Sequence, residues 1–168
     1  DDMDGLRKVP AGMPKWLEEY LLKPVSSIPD PYGCHNSFSE HMSGMLKDAL
    51  EEAGIKCKYM SGRETYASGI LADQIHMILL NAQKIGEAIE EITGQDKFKK
   101  VLPYFAVCKQ CGRIYTTQAY EYDPKRRIVK YRCGGAEVGG RYFSGCGYEG
   151  EADITRDDGK LAWKTEFA

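Results

Sequence analysis

Four cysteines, Cys108, Cys111, Cys133 and Cys146, carry the densest chemistry of this 168-residue chain. The first pair lies in Cys-Lys-Gln-Cys-Gly-Arg (108–113). Two thiolates three residues apart on a tight turn can reach one tetrahedral ion, and the glycine that follows relieves the backbone there. The second pair is less regular, with twelve residues, five of them glycine, between Cys133 and Cys146. The expectation is a zinc ribbon. The plain alternative is a reduced CxxC in a core with two unrelated cysteines. A redox CxxC is a weaker one, because that motif opens a helix, whereas this one runs into β-prone Ile114-Tyr115-Thr116-Thr117.

A second cluster of donors lies in Asp-Pro-Tyr-Gly-Cys-His-Asn-Ser-Phe-Ser-Glu-His (30–41). Two of the three histidines of the chain fall here, beside a cysteine and an aspartate. Imidazole, thiolate and carboxylate are competent zinc ligands, so Asp30, Cys34, His35 and His41 could complete a tetrahedron. Spacing alone weighs this equally against a helix-capping loop with unrelated histidines. A catalytic Cys/His pair is the third reading, and neighbouring side chains on an extended loop point apart.

The elements that must position these groups read as follows. Residues 1–36 are rich in proline and loops, with one short helix over Lys15–Leu22. Ser37-Phe38-Ser39-Glu40 fits a capping box and opens a helix whose apolar stripe is Met42, Met45, Leu46, Ala49, Leu50 and Ala53, closed by Gly54. Ile55, Cys57 and Tyr59 then alternate with lysines and Met60 as in a strand, with Cys57 as a small buried side chain. Leu71, Ile75, Ile78, Ala82, Ile85, Ile89 and Ile92 predict one long amphipathic helix ending at Gly94, with His76 on its surface. Tyr115–Tyr122 and Arg127–Tyr131 form a hairpin around Asp123-Pro124, with Lys125, Arg126 and Arg127 at its tip. Strands over Glu151–Ile154 and Leu161–Thr165 flank a turn at Asp157-Asp158-Gly159-Lys160.

Composition sets bounds on this chemistry. Apolar residues are 42% and charged residues 29% of the chain, as in ordinary globular domains, and no apolar run approaches the roughly 20 residues that span a bilayer. No signal peptide is apparent, so the thiols are expected to stay reduced. The net charge of −2 hides an asymmetry: residues 97–132 carry +8, residues 1–96 carry −7 and residues 133–168 carry −3. A basic hairpin on an acidic body points to a polyanion, against the plainer reading of a solvated hairpin with no partner. The chain opens on Asp-Asp-Met-Asp rather than Met and stops at Lys-Thr-Glu-Phe-Ala, from which a piece of a longer protein is expected.

Five segments taken together resemble class I lysyl-tRNA synthetases. They are Asp-Asp-Met-Asp-Gly-Leu-Arg-Lys-Val-Pro (1–10), Ser-Ile-Pro-Asp-Pro-Tyr-Gly-Cys-His (27–35), Ser-Gly-Arg-Glu-Thr-Tyr-Ala-Ser-Gly (61–69), Cys-Lys-Gln-Cys-Gly-Arg-Ile-Tyr-Thr-Thr (108–117) and Gly-Lys-Leu-Ala-Trp-Lys (159–164). The resemblance runs from end to end in the same order. It implies an α/β fold, here an α+β fragment. Residues 1–102 would be part of a Rossmann-type catalytic domain with a helical connective insertion, 103–150 a zinc ribbon, and 151–168 strands returning to the catalytic sheet. It implies a second zinc at Asp30, Cys34, His35 and His41, which match an Asp-x3-Cys-His-x5-His pattern, so two zinc ions per chain. The stretch between Cys133 and Cys146 is longer than the short final spacing such a ribbon implies.

The function implied is that of a fragment of a lysine–tRNA ligase. The parent would use ATP to join lysine to tRNA(Lys) in the cytoplasm, and Lys125, Arg126 and Arg127 would touch the acceptor end. No HIGH-like or KMSKS-like string occurs in the 168 residues, so the piece alone is expected to be inactive, with no catalytic residue. A free-standing zinc-ribbon module that binds nucleic acid or protein is the alternative. A small zinc hydrolase is a third reading, disfavoured because four protein ligands leave no position for water.

Overall fold

The computed structural model describes residues 1–162 and 165. The architecture is mixed helix and small antiparallel sheets, an α+β arrangement. Among the described residues the α-helices are α1 (Phe38–Glu52), α2 (Gly62–Ala67), α3 (Ala72–Leu80), α4 (Ala82–Thr93) and α5 (Lys97–Lys100). The strands among them are β1 (Tyr104–Ala106), β2 (Thr117–Asp123), β3 (Ile128–Cys133), β4 (Gly135–Val138), β5 (Arg141–Ser144), β6 (Glu149–Asp153) and β7 (Gly159–Leu161). Short 3-10 helices at Lys15–Tyr20 and Val25–Ser27 occupy the proline-rich start.

The largest sheet has the order β2-β3-β6, and β1-β7 and β4-β5 form two-stranded pairs. The predicted hairpin is β2–β3, with a bulge between Ala119 and Glu121. Its turn is held by Asp123, whose carboxylate accepts from the backbone N–H of Lys125 and Arg126, while Arg127 takes a positive φ of 58°. The predicted strands around Asp157–Lys160 do not pair with each other. β6 joins β3 and β7 joins β1, so the turn hands the chain from one sheet to the next. Residues 163 and 164 of the second predicted strand lie outside the described residues.

The main core lies between α3 and the strands. Ile75 and Leu79 pack with Met3, Tyr66, Tyr104, Val129, Tyr131, Ala152 and Ile154. The long predicted helix is two helices, broken at Asn81. The Asn81 side chain donates to the Met77 carbonyl, the local side-chain-to-backbone bond by which asparagine competes with helix. The break lets each half bury its stripe against a different body. Ala72, Ile75 and Leu79 are buried on α3, the last two in the main core, whereas Ile89 joins Phe98 and Ala162 in a separate small cluster.

Ser37 caps α1 as predicted, accepting from the Glu40 N–H. Glu40 reaches back one residue further, to the N–H of Asn36. Three other expectations are corrected. Of α1, only Phe38 is buried, and Met45 and Leu46 are 58% and 59% exposed. Residues 55–60 are not assigned to a strand, and Cys57 is exposed rather than buried. His76 is half-buried, with Nδ1 2.6 Å from the Tyr122 hydroxyl, because α3 lies against the hairpin. Ile75→Ala is expected to destabilise the protein by about 2–5 kcal/mol in denaturant titration. Met77→Ala, on the solvent face of the same helix, should stay within about 0.5 kcal/mol.

Candidate metal centres

Cys108, Cys111, Cys133 and Cys146 converge. Cys108 and Cys111 lie on the turn between β1 and β2, where the Cys108 N–H donates to the Arg113 carbonyl and the Gly112 N–H donates to the Cys108 carbonyl. Gly112 has a φ of 72°, a conformation that side chains resist. On the other side, Cys133 ends β3, the Gly147 N–H donates to the Cys133 carbonyl, and Gly147 has a φ of 78°. The two turns are near copies of one another. Sγ of Cys108 lies 3.6 Å from that of Cys146, and Sγ of Cys111 lies 3.8 Å from that of Cys133. Tetrahedral thiolates at a zinc–sulfur distance near 2.3 Å stand about 3.8 Å apart. All four sulfurs lie within 4.8 Å of one another and could hold a metal ion.

The long Cys133–Cys146 spacing has a structural cause. β4 and β5 pair from Gly135↔Ser144 to Val138↔Arg141, a hairpin that leaves the turn and returns to it. Without residues 135–144 the sequence would read Cys-Gly-Gly-Cys-Gly, the CxxCG of the first turn. Gly145 closes the loop against the Cys133 carbonyl, where an added Cβ would overlap the oxygen. Cys146 therefore stands with the other three despite its distance in sequence.

Charge explains what this pocket of sulfur favours. Burial pushes the Cys111 thiol up to about 12, with nearby Cys108 and Cys133 adding to it. Burial also raises Cys108, whereas a backbone N–H at Tyr148 lowers the exposed Cys146. Four clustered thiols cannot ionise together without a cation, and a divalent ion supplies that charge.

The second cluster is assembled by one carboxylate. Asp30 accepts from the backbone N–H groups of Tyr32, Cys34 and His35 at 2.9–3.0 Å, winding the loop around its side chain, which is 1% exposed. Burial acts to raise this carboxyl, but the three N–H donors outweigh it and hold it well below the usual carboxylate range. Sγ of Cys34 lies 3.2 Å from Nδ1 of His35 and of His41 and 3.3 Å from Oδ2 of Asp30. His41 is delivered by the first turn of α1 and stacks on Tyr32, with ring centroids 4.4 Å apart. Asp30, Cys34, His35 and His41 thus present one ligand atom each within 4.8 Å and could hold a second ion. The tight loop brings the side chains of Cys34 and His35 together, where an extended one would turn them apart.

The basic tip is less free than its sequence suggests. Arg126 makes a bidentate pair with Glu151 at 2.9 and 3.2 Å, and Arg127 pairs with Asp73 of α3 at 2.7 Å. Lys125 has no carboxylate partner among the described residues. Lys99 and Lys100 pair with Glu90 and Asp96.

Sequence reasoning missed one polar network. Lys160 of β7 is 1% exposed and pairs with Asp1 and Asp4, and Asp4 also accepts from the Tyr115 hydroxyl at 2.8 Å. Nothing in the spacing links residues so far apart. Its one signal was the lysine inside an otherwise apolar Gly-Lys-Leu-Ala strand.

The family model described as tRNA synthetases class I (K) matches residues 1–168. A lysine–tRNA ligase of Cenarchaeum symbiosum is 59% identical over the whole chain, which covers 32% of that relative. A lysine–tRNA ligase of Methanosphaera stadtmanae is 35% identical over the whole chain, which covers 30% of it. The chain spans about a third of the length of the curated relatives it matches.

The sulfur geometry can be tested by substitution and by pH. Replacing Cys108 with serine should remove one metal equivalent by elemental analysis, whereas excising residues 135–144 should keep it and lower the melting temperature by removing buried Phe143. The thiols of Cys108 and Cys111 are raised, so protons compete with metal as pH falls. Zinc affinity of the stripped protein should drop at least about tenfold per pH unit below neutrality, as read by chelator competition.

Proposed function

The chain belongs to the class I (K) tRNA synthetases, and from that premise we propose that it is the zinc-bearing connective piece of a lysine–tRNA ligase. The observation that carries this reading is the unbroken match of all 168 residues to lysine–tRNA ligases. The parent enzyme joins lysine to tRNA(Lys) at the expense of ATP in the cytoplasm. Residues 1–102 belong to its Rossmann-type domain and helical insertion, residues 103–150 form a zinc ribbon, and residues 151–168 lead back to the catalytic sheet.

Both metal centres are closed zinc sites that shape the fold. Cys108, Cys111, Cys133 and Cys146 hold one ion, and Asp30, Cys34, His35 and His41 hold the other. Each already offers four protein donors, which leaves no position for a substrate or an activated water. Their part in the reaction is to fix the ribbon and the loop before α1, and so the surfaces that meet RNA.

The RNA-facing surface is the hairpin tip of Lys125, Arg126 and Arg127, meeting the phosphates of the acceptor end. The pairing of Arg126 and Arg127 with carboxylates makes Lys125 the readiest phosphate partner, and Arg127 must leave Asp73 to reach one.

The decisive experiment is aminoacylation by the full-length protein. It should charge tRNA(Lys) with lysine, and failure to do so with any lysine-accepting tRNA would overturn the reading. The 168-residue chain alone should show no lysine-dependent pyrophosphate exchange. Neutralising all three tip residues in the full-length enzyme should raise KM for tRNA more than KM for lysine. It should also flatten the salt dependence of RNA binding, by roughly 0.7–0.9 in slope for each phosphate no longer neutralised. An unchanged affinity and slope would return the tip to the role of a solvated turn.

A further inference from the structure

Cations in this fold are held in two different ways. At the β2–β3 tip, Arg126 and Arg127 are held by carboxylates, which fix their position and cancel their charge. Beside the cysteine turns, three cations are held by neutral groups. Lys23 lays its stem over Gly112, where an added Cβ would sit 3.5 Å from Cδ, and its ammonium lies 4.6 Å from the Tyr20 ring centroid. Arg113, the residue after that glycine, donates to the Ser144 carbonyl at 3.3 Å. Arg141 lies over the Phe143 ring, 4.8 Å from its centroid. None of the three has a carboxylate partner among the described residues. A ring face or a carbonyl fixes a cation without neutralising it, and a guanidinium that spends one N–H on a carbonyl keeps its other donors free.

The three cations form one row. Gly112 joins Lys23 to Arg113, and Ser144 and Phe143, neighbours on β5, join Arg113 to Arg141. The segments that carry them, residues 20–29, 108–117 and 133–148, hold Lys23, Lys109, Arg113 and Arg141 against the single carboxylate of Glu137. Beside the row stands an open aromatic ring. Alternation along β5 buries Phe143 and turns Tyr142 outward, 67% exposed. Its hydroxyl lies over Gly135, where an added Cβ would come within 2.7 Å of the oxygen, so the phenol rests along the arm of β4 and β5. Uncompensated cations next to an open ring meet the two needs of a single-stranded nucleic acid, charge for its phosphates and a face on which a base stacks. An acidic peptide would use the cations and leave the ring idle.

We propose that the β4–β5 arm, with Lys23 and Arg113 at its base, is a second RNA-binding surface, separate from the β2–β3 tip. It takes an unpaired stretch of RNA, with phosphates on Lys23, Arg113 and Arg141 and one base stacked on Tyr142. Residues 135–144 thereby gain a task that closure of the cysteine turn does not ask of them.

The partner, RNA, rests on the lysine–tRNA ligase reading. Charging of tRNA by the full-length protein tests that reading, and binding of an oligouridylate of about 12 nucleotides to the same protein tests the arm, so each can fail alone. Changing Lys23, Arg113 and Arg141 together to glutamine should reduce the salt slope of oligouridylate binding by roughly 0.7 per residue, about 2 in all. Tyr142→Ala should weaken binding at least about fivefold and leave the slope unchanged. Tyr142→Phe should bind as the unsubstituted protein does, because stacking needs the ring and not the hydroxyl. Zinc content should be the same in every variant. Lys23 and Arg113 also stand beside the sulfurs, so zinc loss in the triple variant with RNA binding intact would assign them to the thiolates and overturn the proposal. An unchanged affinity and slope in that variant would sink it as well. Binding indifferent to Tyr142→Ala would remove the stacked base and count equally against it, and polyglutamate bound as tightly as the RNA would then identify an acidic peptide as the occupant.

Discussion

Four sulfur atoms gathered within 4.8 Å govern the second half of this molecule. The strands around them are short, three to seven residues each, and such sheets carry little stability of their own. Cys108 and Cys133 are also buried members of the main core, beside Tyr131 and Val129. The first of the turns that bring the sulfurs together joins β1 to β2, and the second leads from the end of β3 into β6. Once the knuckle is closed, the register of β2, β3 and β6 follows, because each strand enters or leaves through one of its turns.

Electrostatics changes meaning between sequence and fold. The excess of +8 over residues 97–132 suggests a naked basic surface. In the fold, carboxylates from other segments come to meet it. Asp73 arrives from α3, Glu149 and Glu151 from β6, and Asp158 from the turn before β7. These pairs are largely exposed, so each adds little stability and can exchange partners at small cost. A polyanion approaching the tip would compete with carboxylates already in place rather than fill empty charge.

What the sequence could tell depended on whether the cause was local. The CxxCG turn, the Ser37 cap, the β2–β3 hairpin and the donor-rich loop of 30–41 are written in neighbouring residues, and all were legible. The break at Asn81 was not, because the apolar period continues through it and only the two separate packing partners reveal two helices. The burial expected of Cys57 and of the α1 stripe was wrong, because a period marks an apolar face without supplying a partner to cover it, and both are exposed. His76 and Lys160 were invisible for the opposite reason: their partners, Tyr122 and Asp1 with Asp4, lie 46 to 159 residues away.

The hairpin of β4 and β5 shows how a cysteine-bearing turn can be lengthened without moving its sulfurs. Its two ends, Gly135 and Ser144, are paired neighbours, so whatever lies between them is invisible to the sulfurs. The geometry constrains only the closure of the loop and leaves its length free. A ten-residue arm can thus be added to a rigid corner, with Phe143 anchored in the cluster of Leu22 and Phe38 and Tyr142 left facing solvent. Such a corner works as a mounting point. A pattern built on fixed cysteine spacing would miss this turn, although its sulfurs stand as close as those of a contiguous CxxCG pair would.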